Sequence, residues 1–391
     1  MYRTLRAAPG RPRGARASSS RGSVSPTPVT HASGLATRRA AAPQLEGALP
    51  AGRGREKWTT PAHLARVRRR PHSIRVTRVA ILDDYQGVAL LLADWSTLAA
   101  EVAVFRDHLS DETRVAARLA DFDVVVAMRE RTPFPRTLIE RLPRLRLLVT
   151  TGMRNASIDL RAAADRGVIV CGTGGVPSPT AELTWALILA LVRQVPREDR
   201  ATRDGRWQET LGTTLAGRTL GVLGLGNLGS RVARVGRAFE MDVLAWSQNL
   251  TAERTAAVGA TLAGSRDEVL ARADIVTIHL VLGDRTRGLI GARELALMRR
   301  TAYLVNTSRG PIVDEVALIA ALRAGAIAGA GLDVFDEEPL PANHPLRGLP
   351  NTVITPHLGY VTEETYRVFY PQALEDVRGF LAGAPVRVLC P

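Results

Sequence analysis

Three segments in the last third of the chain contain residue types that can move a proton and bind an anion. They are residues 306–310 with Arg309, residues 332–339 with four carboxylates, and residues 356–359 with His357. Each begins at or follows the end of an apolar run that predicts a buried strand, and the carboxyl ends of parallel strands meet at one edge of a sheet. The sequence therefore predicts one site that combines an arginine, a carboxylate and a histidine.

Each of these residue types has a role in hydride transfer at a 2-hydroxy or 2-oxo acid. An arginine offers a planar fork for the carboxylate and the reacting oxygen. A histidine carries the proton that accompanies the hydride near neutral pH. A carboxylate bonded to the other ring nitrogen orients the imidazole. Three acids, Asp336, Glu337 and Glu338, compete for that last role.

A glycine-rich segment points to a dinucleotide. Gly224-Leu-Gly226-Asn227-Leu228-Gly229 follows a predicted strand at 219–223 and opens a predicted helix. In that context the first glycine allows a tight turn, the second lets the backbone approach a pyrophosphate, and the third lets helix and strand pack closely. The alternative is a glycine-rich packing turn without a ligand. We interpret these residues as cofactor-binding.

The acid that usually selects NAD is missing. About 20 residues beyond the glycine motif an Asp or Glu binds the ribose diol, but the sequence there has Ser247, followed by Gln and Asn. A serine hydroxyl bonds either a hydroxyl or a phosphate, and the nearest downstream arginine is Arg254. The sequence therefore predicts no strong discrimination between NAD and NADP.

Apolar runs alternate with helix-like stretches along residues 76–391. The predicted strands are 78–84, 123–127, 145–149, 168–170, 219–223, 243–246, 275–278, 302–305, 330–334 and 352–355. A Gly/Pro-rich hinge candidate at 172–179 and an apolar helix at 181–193 separate two series, and a helix at 363–381 ends the chain. This alternation predicts an α/β protein with two doubly wound, mainly parallel sheets.

The net charge of +14 is confined to the first fifth of the chain. Residues 1–75 contain 15 Arg, one Lys and two acids, whereas basic and acidic residues balance over 76–391. We therefore expect no nucleic-acid binding by the folded part. The longest apolar stretch, 183–192, is too short for a bilayer, which needs roughly 20 residues, so we expect no membrane span. Two cysteines exclude a disulfide scaffold, and no metal site is predicted.

Residues 1–75 are rich in Arg, Ser, Ala, Gly and Pro and show no apolar period, so we predict that they are disordered. Three interpretations remain open. The segment resembles an organellar transit peptide, it is a basic tail that touches nucleic acid or anionic lipid, or it is translated sequence upstream of the true start. Under the third interpretation we expect the protein to be cytoplasmic, and under the first we expect it to be organellar.

The four motifs in this order resemble the D-isomer-specific 2-hydroxyacid dehydrogenase family. The motifs are Gly224–Gly229, Ser308-Arg309-Gly310, Asp333 with Glu338-Pro339, and Pro356-His357. The resemblance covers residues 76–391. It implies that Arg309 binds substrate, that Glu338 is the histidine partner, and that His357 is the general acid/base. It also implies a Rossmann domain, 176–357, inserted into a flavodoxin-like substrate domain, 76–175 with 358–391.

The resemblance implies further contacts. The loop that contains Gly152, Met153 and Arg154 corresponds to the family's loop for the substrate carboxylate, and Arg154 stands where many members have an acid, which suggests an extra anionic group on the substrate. Ser308, Asp333 and His279 are expected on the cofactor side, with Asp333 near the nicotinamide and His279 near the adenine. NAD(H) is favoured, NADP(H) stays open, and a homodimer is expected.

Two rival functions share this fold. One is a nucleotide-sensing binding protein like the corepressors of the family, although the intact set of Arg309, Glu338 and His357 favours catalysis. The other is formate dehydrogenase, for which the resemblance calls for Gln in place of Glu338. We predict an NAD(P)-dependent oxidoreductase that acts on a phosphoglycerate-, glyoxylate- or hydroxypyruvate-like 2-hydroxy or 2-oxo acid.

Overall fold

Two parallel β-sheets form the framework of the protein. The structure, a computed structural model, describes residues 76–390. The predictions for residues 1–75 lie outside the described residues. In the described part both sheets contain only parallel pairs, as the alternating pattern of strands and helices predicts.

The first sheet has five strands. They are β1 (Thr77–Ile81), β2 (Ala100–Val104), β3 (Val124–Ala127), β4 (Leu147–Thr150) and β5 (Ile169–Gly172). Their order is β2-β1-β3-β4-β5, which is the flavodoxin-like order. The helices that connect these strands are α1 (Ala89–Leu92), α2 (Glu112–Leu119), α3 (Arg136–Glu140) and α4 (Leu160–Asp165).

The second sheet has seven strands. They are β6 (Thr219–Leu223), β7 (Asp242–Trp246), β8 (Thr261–Leu262), β9 (Ile275–Ile278), β10 (Tyr303–Asn306), β11 (Gly329–Leu332) and β12 (Thr352–Ile354). The order β12-β11-β10-β9-β6-β7-β8 reverses between β6 and β9. This is the Rossmann order with one added strand, and the reversal is where such sheets bind ligands.

The remaining helices lie before, between and after the strands of the second sheet. They are α5 (Pro179–Val192), α6 (Val195–Arg203), α7 (Asn227–Ala238), α8 (Ala252–Ala256), α9 (Arg266–Arg272), α10 (Ala292–Leu297), α11 (Glu315–Arg323) and α12 (Glu363–Leu381). In the described chain no helix has the length and apolar character needed to cross a membrane. Short 3-10 turns cover Trp95–Thr97, Gly310–Ile312 and Pro345–Gly348.

Each sheet is buried on both faces. In β1, Ala80 packs into the core on one face, whereas Val79 and Ile81 pack into the core on the other. Successive strand residues point to opposite faces, so a strand covered on both sides is apolar throughout. The second sheet shows the same division, with Val276 and Ile278 on one face and Ile275 on the other.

The last helix returns the chain to the first sheet. Three aromatic residues of α12, Tyr366, Phe369 and Tyr370, are buried with Val79 and Ile81 of β1. The helix α5 instead packs on the second sheet and on α7. Both ends of the described chain thus contribute to the layer around the first sheet, an arrangement consistent with the predicted inserted domain, whose boundaries stay a prediction.

The predicted fold class is confirmed, but two edge strands, β2 and β8, were missed, and both residues of β8 are exposed. The strand β2 lies at the edge of the first sheet, and its residues are only partly buried, with Glu101 exposed. An edge strand needs no continuous apolar run, so its sequence lacks the pattern that marked the central strands. The helix at 363–381 was predicted with its observed bounds.

One carboxyl on α12 is buried with incomplete hydrogen bonding. Asp376 is fully buried; its Oδ1 accepts a bond from Arg387 Nε at 3.0 Å, and its Oδ2 has no partner. Burial, which outweighs the attraction of Arg387, raises the pKa of Asp376 to about 7. Because its pKa rises on folding, this carboxyl destabilises the folded state increasingly as the pH climbs from the unfolded value, roughly 3.9, to about 7.

Replacing Asp376 by Asn removes this titration. The free energy of unfolding of Asp376→Asn relative to the unaltered protein is expected to rise between pH 4 and pH 7, by on the order of 1 kcal/mol per pH unit, and then to level off. Urea unfolding across this pH range measures the difference. Glu375→Gln, which alters the neighbouring exposed partner of Arg387, is the control. Parallel stability curves for Asp376→Asn and the unaltered protein would contradict the assignment.

Candidate active site

The glycine-rich loop between β6 and α7 leaves no room for side chains at two of its positions. Gly224 has φ +100°, and a Cβ there would lie 2.6 Å from the carbonyl oxygen of His279. A Cβ at Gly229 would lie 2.0 Å from the carbonyl oxygen of Gly224. At Gly226 a Cβ would meet nothing within 4 Å, so this glycine borders open space.

The first turn of α7 is open to a ligand. Gly226 is the N-cap, and no side chain caps the helix. The N–H groups at Asn227 and Leu228 therefore lie at the positive end of the helix dipole, where phosphates bind. The residues present fit the pyrophosphate of a nicotinamide dinucleotide.

The side chains of His279 and Ser308 bond to neighbouring protein groups beside this loop. Ser308 Oγ donates to the carbonyl of Leu280, and His279 Nε2 lies 3.0 Å from Thr277 Oγ1. Desolvation lowers the pKa of His279 to about 4, so the ring is neutral near pH 7. His279 follows β9 and Ser308 follows the neighbouring strand β10, and the cofactor contacts expected for them stay a prediction.

Ser247 follows β7 directly and is half-buried. Arg254, on α8, reaches back so that its Nη2 donates to the carbonyl of Leu225 at 3.2 Å. A guanidinium thus lies against the glycine-rich loop, a contact that sequence spacing did not reveal. No acid occupies the position after β7 that discriminates against a 2′-phosphate.

His357 and Glu338 form a short hydrogen-bonded pair. Nδ1 of His357 lies 2.6 Å from Glu338 Oε2, and Glu338 Oε1 accepts the N–H of Phe335 at 2.9 Å. The neighbouring acids Asp336 and Glu337 do not bond to the ring. Because Nδ1 is bonded to the carboxylate, Nε2 remains for another partner.

Asp333 holds the loop that contains His357. Its carboxylate is fully buried and accepts bonds from Thr355 Oγ1 at 2.6 Å, Leu358 N at 2.7 Å and Gly359 N at 2.9 Å. The carbonyl of Asp333 accepts the N–H of His357 at 2.8 Å, and His357 has φ +54°. The cofactor contact predicted for Asp333 stays a prediction, because these bonds assign its carboxylate to the loop.

Arg309 pairs with an acid from the other sheet. Its Nη2 donates to Glu130 Oε1 at 2.7 Å, and its Nη1 donates to the carbonyl of Ser308 at 2.7 Å. Glu130 follows β3 and was not predicted as a site residue. Although burial opposes its charge, Arg129 and Arg309 hold the pKa of the Glu130 carboxyl below its usual value. Its position three residues after the end of Val124–Ala127 was the available sequence signal.

In the loop predicted to bind the substrate carboxylate, one backbone N–H group is already hydrogen-bonded within the protein. The N–H of Gly152 already donates to Thr173 Oγ1 at 2.8 Å. Gly152 has φ +92°, and a Cβ there would lie 1.9 Å from Arg129 Nη1, so only glycine leaves room for that guanidinium. Met153 and Arg154 are exposed. The substrate-binding prediction for this loop then rests on the N–H groups of these two residues.

A cavity of about 290 Å³ lies beside the His357–Glu338 pair, near the lower limit of small-molecule sites. It is lined from the side of the first sheet by Tyr85, His108, Glu130 and Arg131, and from the side of the second by Phe335, Glu338, Pro339, Leu340, Arg347, Ile354, Thr355, Pro356 and His357. The side chain of His108 is only 10% exposed.

Comparison with known proteins decides the family. Residues 185–359 match the family model described as D-isomer specific 2-hydroxyacid dehydrogenase, NAD binding domain. A glyoxylate reductase of Aeropyrum pernix is 44% identical over 256 residues, which cover 63% of this chain and 76% of that protein. The chain belongs to the D-isomer-specific 2-hydroxyacid dehydrogenase family. It is an oxidoreductase that uses a nicotinamide cofactor and acts on a CH–OH group.

Other members of the family match over different lengths. A D-3-phosphoglycerate dehydrogenase of Methanocaldococcus jannaschii is 36% identical over 269 residues, and the chain spans about half, 51%, of its length. The crystal structure of a phosphoglycerate oxidoreductase from Vibrio cholerae has a TM-score of 0.75 and 38% identity, covering 79% of this chain and all of that one. The dehydrogenase fold thus extends across both sheets.

The Glu130–Arg309 pair predicts a kinetic effect in this dehydrogenase. Glu130→Ala is expected to lower kcat/KM for a 2-oxo acid tenfold or more, because Arg309 loses one of the two acceptors that fix its guanidinium. Glu130→Gln keeps an oxygen acceptor at the same distance and should retain most of the activity. Steady-state kinetics measure both.

The exposed acid Glu140 on α3 supplies the control, because Glu140→Ala removes a carboxylate of the same length away from the cavity lining. Equal activity of Glu130→Ala and Glu140→Ala would show that Arg309 does not depend on Glu130.

Proposed function

We propose that this dehydrogenase interconverts a small 2-oxo acid and its D-2-hydroxy acid, with Arg309, Glu338 and His357 as the catalytic residues. The observation that carries the proposal is the 2.6 Å contact between His357 Nδ1 and Glu338 Oε2 at the edge of a cavity. A carboxylate on one ring nitrogen orients the other toward a substrate oxygen. Family membership supports the same assignment.

His357 moves the proton in this mechanism. In reduction its Nε2 donates a proton to the oxygen on C2, and in oxidation the same nitrogen accepts the hydroxyl proton. Glu338 stabilises the imidazolium, since its carboxylate stays hydrogen-bonded to Nδ1 in both directions. The bound nicotinamide, when present, supplies or accepts the hydride.

Arg309 binds and polarises the substrate. A guanidinium has five N–H groups, of which one bonds to Ser308 and one to Glu130. The other three have no partner among the described residues, and they suit the substrate carboxylate and the C2 oxygen. Two fixed bonds hold the guanidinium plane while these donors stay available, which lowers the cost of orienting the group during the reaction.

The glycine-rich loop and the first turn of α7 would hold the pyrophosphate through Gly226, Asn227 and Leu228. We propose that both NADH and NADPH are accepted, because Ser247 carries no charge to repel a 2′-phosphate. Arg254 Nη2, 3.2 Å from the carbonyl of Leu225, adds a cation on the same side of the loop.

Ser247→Asp is expected to lower kcat/KM for NADPH about fivefold or more while kcat/KM for NADH changes little. The introduced carboxylate and the 2′-phosphate of NADPH repel each other, by on the order of 1 kcal/mol or more for partly screened charges. Initial rates with both cofactors measure the ratio. Thr251→Asp, which adds a carboxylate at the start of α8, controls for a general charge effect. An unchanged cofactor ratio in Ser247→Asp would remove Ser247 from the ribose pocket.

We also propose a substrate class, a homodimer and a cytoplasmic compartment. The named relatives are glyoxylate reductases and phosphoglycerate dehydrogenases, so a glyoxylate-, hydroxypyruvate- or phosphoglycerate-like acid is proposed here.

Trp207 and Leu211, which follow α6, are 77% and 98% exposed and supply an apolar surface that suits a homodimer. A reducing, cytoplasmic compartment fits the free cysteines Cys171 and Cys390.

A panel of 2-oxo acids with NADH and NADPH tests the proposed reaction. We expect turnover of at least one acid, and Arg309→Lys should lose most of kcat/KM, because an ammonium cannot reproduce a bidentate fork. Arg141→Lys, at an exposed position after α3, is the matched control. Tight binding of NADH without turnover of any acid would instead support the nucleotide-sensing function, and full activity of Arg309→Lys would remove Arg309 from the site.

A further inference from the structure

The loop that carries Glu338 contains no helix or strand. It covers residues 333–344, between β11 and a 3-10 turn. The carboxylate of Glu338 accepts the N–H of Phe335 and bonds to the ring of His357. The bond to Phe335 spans three positions of the loop itself, so it does not fix where the loop lies. Contacts with other segments must therefore keep this carboxylate at His357.

One glutamate from another segment bonds to the loop on both sides of Glu338. Glu315 is the first residue of α11, six positions after Arg309. Its Oε1 lies 3.0 Å from His344 Nε2, and its Oε2 accepts the N–H of Asp336 at 3.5 Å. The side chains of Glu315 and His344 are only 16% and 15% exposed. A single, largely buried carboxylate thus ties the loop to α11 before and after Glu338.

The bonds of His344 determine which ring nitrogen carries the proton. Its Nδ1 accepts the N–H of Leu346 at 3.3 Å, so in the neutral ring the proton is on Nε2. Nε2 therefore donates to Glu315. Leu346 is 1% exposed and belongs to the core of the second sheet. The neutral imidazole thus joins α11 to a residue that is anchored in the core.

The backbone makes a second contact between the same two segments. A Cβ at Gly310 would lie 2.1 Å from the carbonyl carbon and oxygen of Phe335, so only glycine fits directly after Arg309. The turn at Gly310 leads into α11, which begins at Glu315. Residues 310–315 therefore support the loop in two ways, through a backbone contact and through the carboxylate of Glu315.

Like charges face each other where the loop meets α11. Burial raises the pKa of Asp336, and the charges of Glu315 and Asp314 raise it further, whereas Arg287 and His344 act in the opposite direction. Removing His344 takes away one of these two favourable partners and leaves the carboxylates of Glu315 and Asp336 opposed. The bond from His344 to Glu315 therefore offsets a repulsion that pushes the loop away from α11.

We propose that Glu315 and His344 are positioning residues whose hydrogen bond keeps Glu338 on Nδ1 of His357. This inference rests on the roles proposed above for Glu338 and His357. Neither Glu315 nor His344 lines the cavity, and neither takes part in the proton or hydride transfer. When the bond is lost, Glu338 stays at the ring in a smaller fraction of molecules. The imidazolium is then less stabilised and loses its proton at lower pH.

Two substitutions of His344 test this role. His344→Ala removes the bond, whereas His344→Gln keeps an N–H donor near the position of Nε2. We expect His344→Ala to lower kcat for 2-oxo acid reduction about fivefold or more, with less than a twofold change in KM, because Arg309 keeps its own bonds. The alkaline limb of the kcat profile should move about half a pH unit lower. His344→Gln should restore both properties.

A variant elsewhere controls for a general loss of stability. Asp111 is the N-cap of α2, beside the first sheet, and its side chain accepts the N–H of Arg114. Asp111→Ala therefore loses a hydrogen bond outside the site and should leave kcat and its pH profile unchanged. If His344→Ala does not fold, Glu315→Ala and Glu315→Gln give the same comparison from the acceptor side. A folded variant without the bond but with an unaltered pH profile would refute the positioning role.

A double substitution shows whether His344 acts through Glu338. In a Glu338→Ala protein the contact with His357 is already absent, so adding His344→Ala should change kcat less than twofold. If the two effects multiply instead, His344 acts independently of Glu338 and the inference is overturned.

An NMR titration separates the inference from the proposed reaction. The imidazole signals of His357, assigned by comparison with His357→Gln, should titrate at a lower midpoint in His344→Ala than in the unaltered protein, without substrate or cofactor. Equal midpoints would refute the positioning role even in an active enzyme. If no 2-oxo acid is reduced, the proposed function fails, whereas a lower midpoint in His344→Ala still supports the positioning of Glu338 at His357.

Discussion

The buried carboxylate of Asp333 is the interaction on which the site depends. Its two oxygens accept three bonds from residues 355–359, and its carbonyl accepts a fourth from His357. A charged group without exposure to water is stable only when it is this completely bonded. Since the same loop leads into α12, which packs on the first sheet, these bonds fix His357 and also where the chain leaves the second sheet.

Carboxylates elsewhere in the cleft organise basic side chains in the same way. Glu338 orients His357, Glu130 orients Arg309, and Asp83 orients His108. Each acid lies on a loop after a strand, and each holds a donor whose remaining N–H or ring nitrogen is left for a ligand. Pairing lowers the cost of burying these charges and restricts the rotamers of long side chains before a substrate arrives.

Much of the fold and part of the site followed from local patterns. Continuous apolar runs identified the central strands, because strands in a parallel sheet are buried on both faces. The spacing of Gly224, Gly226 and Gly229 identified the loop whose glycines the structure shows to be sterically required at two positions. The edge strand β2 lacked such a run, and the role of Gly152 beside Arg129 depended on a contact between segments that are distant in sequence.

The sequence by itself determined the α/β class, the cofactor loop and the three residue types of the catalytic set, since each depends on residues close together in the chain. The family resemblance had implied Glu338 as the partner of His357, and the structure shows this contact. Only the tertiary structure decided that Glu130 pairs with Arg309 across 179 positions and that His108 and Arg131 line one cavity. The Glu130–Arg309 pair joins the carboxyl ends of strands in two different sheets. Periodicity and spacing describe one segment at a time, so they do not determine how the two sheets face each other.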